Sequence, residues 1–141
     1  MNENQIATII IESSIEIHKE IGPGLLESAY ESILAYSLSR KGLAVERQVP
    51  ISLLWKDMLV DVAYRADLIV GGLVIVELKS VEKFHPVHAK QLLTYLRIAD
   101  KRLGLLINFG LPVLKDGIQR VINGIIPRDD ALFDEPETDF L

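Results

Sequence analysis

The sixteen residues from Tyr64 to Lys79, YRADLIVGGLVIVELK, constrain the fold more than any other part of the chain. Two apolar runs flank Gly71-Gly72, which reads as a pair of antiparallel strands joined by a turn. Strands this apolar are expected to be buried, yet they carry Asp67, Glu77 and Lys79. Burying an ionised side chain is expensive unless it is paired or binds a metal, so the three groups need a common explanation. Alternation along a strand puts Glu77 and Lys79 on one face and Leu78 on the other. Asp67 joins them only from a position opposite Glu77. A two-residue Gly71-Gly72 loop would pair Asp67 with Val76 instead, so a shared site requires a three-residue turn, Gly71 to Leu73, or a glycine bulge.

Two converging carboxylates, helped by the carbonyl of Leu78, make a hard oxygen site suited to Mg²⁺ or Mn²⁺. An ion held there activates water, and Lys79 could orient that water or neutralise charge building on a phosphate. The competing reading of Glu77 and Lys79 is an ion pair at a sheet edge.

Around this segment the pattern predicts an α/β domain. Ile6, Ile9, Ile10, Ile17 and Ile21 mark a first helix over about residues 4 to 21, broken by Gly22-Pro23-Gly24. Leu26, Ala29, Tyr30, Ile33 and Leu38 mark a second helix closing at Gly42. Strands follow from Ala44, with a break at Lys56-Asp57. His85-Pro86 opens a third helix, and Leu103 to Phe109 and Ile118 to Ile122 read as strands. The order is ααβββαβ with one extra strand.

With no cysteine, thiolate zinc sites and cysteine nucleophiles are excluded. No apolar run approaches a membrane span and the N-terminus lacks a basic leader, so a cytoplasmic protein without membrane attachment is expected. The net charge of −5 is uneven. Six of the twenty acids lie in the last thirteen residues, which leaves residues 1–128 with fifteen basic against fourteen acidic side chains, or +1. Phosphate binding is therefore permitted. The expected organisation is one domain over 1–122 and an acidic, proline-containing tail over 123–141, loosely docked or mobile.

Gly24-Leu25-Leu26-Glu27-Ser28-Ala29-Tyr30 resembles the G-x-x-E-x-x-Y signature of the GxxExxY protein family, a branch of the PD-(D/E)XK superfamily. Tyr64 to Asp67, Val76 to Lys79, His88-x-x-Gln91 and Gly104 to Gly110 resemble the same family in the same order. The resemblance implies a restriction-endonuclease-like fold, with two N-terminal helices and a central mixed β-sheet flanked by helices. It makes Asp67, Glu77 and Lys79 the catalytic core and gives Glu27 and Gln91 supporting roles. Tyr30, His88 and Tyr95 are then substrate-side residues. The implied activity is metal-dependent hydrolysis of nucleic acid, DNA ahead of RNA. The alternative is a catalytically silent nucleic-acid-binding or protein-interaction module that retains the fold. An exposed sheet edge leaves room for a homodimer.

Overall fold

Each helix begins and ends where the local chemistry dictates. In the computed structural model, which describes residues 1–126, α1 spans Glu3–Ile21. Asn2 caps it: its side chain accepts the Gln5 N–H at 2.9 Å while the Gln5 side chain accepts the Asn2 N–H at 3.0 Å. Helix α2, Glu27–Arg40, buries Tyr30, Leu34 and Leu38 at four-residue spacing. It closes with Gly42 at φ +87° and the Leu43 N–H on the Leu38 carbonyl, an arrangement that satisfies the last turn. Helix α3, Pro86–Ala99, starts with proline in the first turn, where its missing N–H costs nothing, and His85 Nδ1 accepts the Val87 N–H.

Strands β1 (Val45–Trp55), β2 (Met58–Val70), β3 (Val74–Lys79), β4 (Leu103–Asn108) and β5 (Ile118–Ile122) form one sheet in sequence order. Neighbours are antiparallel except β3 and β4, which are parallel and joined through α3. The expected element order therefore holds; a 3₁₀ turn at Leu114–Gly117 was not foreseen. Strands β3 and β4 are buried almost throughout. Side chains Val74, Val76, Leu78, Leu103, Leu105 and Ile107 pack into a core with α1 and α2. On the opposite face Ile75 and Leu106 meet Leu92, Leu93 and Leu96 of α3. Glu77 and Lys79 share the parity of Ile75, so they stand on the α3 face.

The chain beyond β3 is pinned. The Phe109 N–H donates to the Lys79 carbonyl at 2.8 Å, and the Asn108 side chain bonds both the N–H and the carbonyl of Val81. A side chain at Gly110 would strike the Val81 main chain, so only glycine lets the two segments approach so closely. Just past β5 the Asn123 N–H bonds the Arg102 carbonyl, and Ile126 is 8% exposed within the α1–α2 core. Residues 127–141, most of the acidic tail, lie outside the described residues.

Candidate active site

The β2–β3 turn has three residues. Val70 pairs with Val74, Ile69 with Ile75 and Leu68 with Val76, and one further step of that register sets Asp67 opposite Glu77. Gly71 and Gly72 make the turn possible with φ of +61° and +68°. The required register is thus the one adopted. Asp67 is also tied to the neighbouring strand, because its Oδ2 accepts the Leu78 N–H at 2.9 Å. The main chain that carries the expected Leu78 carbonyl ligand lies against this carboxylate.

The other oxygen of Asp67 is held from β1. Gln48 Nε2 donates to Asp67 Oδ1 at 3.2 Å and to Glu31 Oε1 at 2.5 Å. Glu31, buried on α2, is neutralised by Arg47, whose Nε and Nη2 lie 3.2 and 3.1 Å from Oε2. Sequence reasoning missed both Gln48 and Glu31. A glutamine within a strand gives no signal, whereas Glu31 lies one helical turn after Glu27 and could have been read as part of the same face.

Glu77 is 8% exposed, and among the described residues its Oε1 has no hydrogen-bond partner. Burial first, and then the charge of Asp67, push its carboxyl up to about 9, while Lys79 pulls the other way. Over it, on the α3 face, the rings of Tyr64 and Tyr95 stack at 3.8 Å, and the Tyr64 hydroxyl donates to the Tyr95 carbonyl. Both phenols are pushed above the ordinary range by burial and then by Glu77. His88 is held towards the neutral form by burial, then by Lys79 and His85, against the opposing pull of Glu27. Its buried Nδ1 has no hydrogen-bond partner among the described residues. Lys79 and Tyr95 thus lie within electrostatic reach of the carboxylate pair, and His88 within that of Lys79 and Glu27.

A cleft of about 500 Å³ opens beside Asp67, lined by Leu26, Glu27, Ser28, Glu31, Gln48 and Ser80 among others. Glu27 is brought to the cleft wall, where its Oε2 accepts the Ser80 N–H at 3.2 Å. Gln91 is exposed on α3 between His88 and Tyr95, and among the described residues no hydrogen bond ties it to the carboxylates. Tyr30, expected at the substrate, is instead wholly buried. Its ring stacks on Phe109 at 4.3 Å, and its hydroxyl donates to the Gly22 carbonyl and accepts the Leu25 N–H. A tyrosine in this position clamps the α1–α2 turn and has no surface to offer a ligand. In the GLLESAY segment, then, Glu27 reaches the cleft and Tyr30 holds the turn beneath it.

Do these residues fit a divalent cation? Among the described residues no three Asp, Glu or His side chains gather as a ready-made cage. Two carboxylates do converge, and one presents a buried oxygen that nothing among the described residues satisfies. Such a pair is costly without a counter-charge, and a Mg²⁺-like ion uses one or two carboxylates while keeping waters or phosphate oxygens. Asp67 and Glu77 fit that requirement.

No curated protein and no solved structure matches the chain. A family model described as the PD-(D/E)XK nuclease superfamily matches residues 4–121, a span that runs from α1 through most of β5 and contains every site residue above. Divalent-metal use and nucleic-acid substrates are general to that superfamily. Matched along most of its length and carrying the acidic pair and lysine on adjacent central strands, this chain belongs to the PD-(D/E)XK nuclease superfamily.

Proposed function

We propose that this protein is a metal-dependent nuclease that hydrolyses phosphodiester bonds in DNA or RNA, with Asp67 and Glu77 as ligands of Mg²⁺ or Mn²⁺. The observation that carries the reading is the buried Glu77 opposite Asp67, whose Oε1 has no partner among the described residues, with Lys79 on the same strand face. A divalent ion bound there supplies a Lewis acid and a water acidic enough to attack at neutral pH. Asp67 is anchored through both oxygens, so it presents its remaining lone pairs in a fixed direction. Lys79 places an ammonium two residues beyond Glu77, where it orients the attacking water or offsets negative charge gathering on the phosphate. Glu27 lines the adjacent cleft, and His88, with its charge suppressed, can donate or accept a hydrogen bond on the α3 side.

The test is cleavage of labelled single-stranded, duplex and branched DNA and of RNA in Mn²⁺, Mg²⁺ or EDTA. Wild type is compared with Asp67→Ala and Lys79→Ala. Metal-dependent cutting is expected. Asp67→Ala should lose both Mn²⁺ binding and cutting, and Lys79→Ala should keep the ion while cutting roughly 10² to 10³ times more slowly. Folded wild-type protein that neither binds Mn²⁺ nor cuts any substrate refutes the proposal and favours the interaction module.

A further inference from the structure

We infer that Gln48 is a positioning residue for Asp67, held in a left-handed backbone conformation so that its amide joins Asp67 to the buried Glu31–Arg47 pair; this rests on the nuclease reading. The ladder between β1 and β2 pairs Arg47 with Leu68 and Val49 with Ala66, and skips the intervening pair, Gln48 and Asp67. At that gap Gln48 has φ +48°, a region that residues other than glycine seldom occupy, least of all within a strand. Such a conformation persists only where surrounding contacts over-determine it, and it gathers at functional sites.

The contacts that fix it are unusual in kind. One amide nitrogen serves two carboxylates, Glu31 and Asp67. Both partners are acceptors, so the orientation of the amide is settled: its oxygen in that place would face two anions. Glu31 can stand there because Arg47 grips its second oxygen and also donates to Ser32 Oγ at 2.8 Å. Asp67 thus receives one neutral donor on each oxygen, Gln48 on Oδ1 and the Leu78 N–H on Oδ2. Neutral donors fix a carboxylate without placing a positive charge where a cation is to bind, which a lysine or arginine would do.

The same gap redirects the sheet. Ala66 packs into the α3 core, whereas Leu68, two residues on, packs into the α1–α2 core; Val49 and Val45 differ in the same way on β1. Regular alternation would put each of these pairs on one face. The register is the same on both sides of the gap, so no residue is inserted; the break in alternation itself accompanies an Asp67 whose Oδ2 reaches the Leu78 N–H of β3.

Glycine separates backbone from side chain, since Gln48→Gly accepts the φ without strain and removes the side chain with its bonds to Glu31 and Asp67. Two readouts on wild type, Gln48→Gly and Asp67→Ala are needed: hydrogen exchange at the Leu78 amide in EDTA, and Mn²⁺ affinity by titration calorimetry. Gln48→Gly should still fold cooperatively, yet exchange Leu78 roughly tenfold faster and bind Mn²⁺ about 10 to 100 times more weakly. An unchanged Leu78 rate, or an unchanged affinity beside a wild type that binds the ion, overturns the inference. A wild type that ignores Mn²⁺ while Gln48→Gly still loosens Leu78 instead sinks the nuclease reading and leaves the positioning role in place.

Discussion

Glu77 stores the clearest consequence at the scale of a single residue. Its carboxyl titrates at 4.5 when solvated and is pushed up to about 9 in the fold, because burial and the neighbouring Asp67 both oppose its charge. A group whose folded value is raised gives its stabilisation in full below the unfolded value, and that stabilisation is lost as the pH rises through the folded value. The metal-free protein should therefore weaken between about pH 4.5 and pH 9, by roughly 3 kcal/mol at pH 7. Gln at this position carries no charge at any pH. In EDTA, Glu77→Gln should melt at nearly the wild-type temperature at pH 4.5 and progressively above it towards pH 9. Parallel melting curves at all pH values would mean that the two carboxylates do not share one poorly hydrated site. The sequence exposed Glu77 because a lone acid in VIVELK conflicts with its neighbours. Gln48 conflicts with nothing around it, and its importance arises from a backbone angle and two partners 17 and 19 residues away, which no local pattern records.

At the scale of elements, the β2–β3 turn decides whether a site exists at all. A shared site demanded a three-residue turn or a glycine bulge between the strands, and so this part of the fold was legible: a slip of one would set Asp67 against Val76 and turn every β3 side chain over. The two glycines of the turn should differ in what they tolerate. Among the described residues nothing lies within 4 Å of a Cβ added at Gly72, so Gly72→Ala carries only the left-handed strain, about 1 to 2 kcal/mol. A Cβ at Gly71 would come 2.6 Å from Ile6 Cδ1 in the core, which adds overpacking of about 1 to 3 kcal/mol. Urea midpoints of the two variants should rank accordingly, and a Gly72→Ala that is the less stable of the pair would contradict the packing of α1 beneath the turn. Tyr30 shows the limit of the same kind of reading. The helical spacing found it and its apolar neighbours were consistent with burial, but the partners that fix its hydroxyl, Gly22 and Leu25, are brought there only by the turn between α1 and α2.

For the whole molecule, net charge is expected to set how readily a polyanion approaches the site. The full chain carries −5, and removing residues 129–141 removes six acids and no base, which leaves +1. Within the remainder the exposed cations do not all serve one surface. Arg102 is paired with Glu3 at 2.9 Å, and Lys101 donates to the Gly72 carbonyl, so two members of the basic stretch from Lys79 to Arg102 are committed to the fold. Association with a polyanion should then respond more to the global charge than to any local patch. Truncation after Arg128 is expected to tighten binding of a labelled oligonucleotide at about 50 mM salt, and the advantage should fade as salt rises to several hundred millimolar and screening shortens the reach of the field. Equal affinities for the two chains at low salt would mean that the acidic residues do not govern nucleic-acid access. An advantage that survives high salt would point to direct contact by the removed segment instead of its net charge.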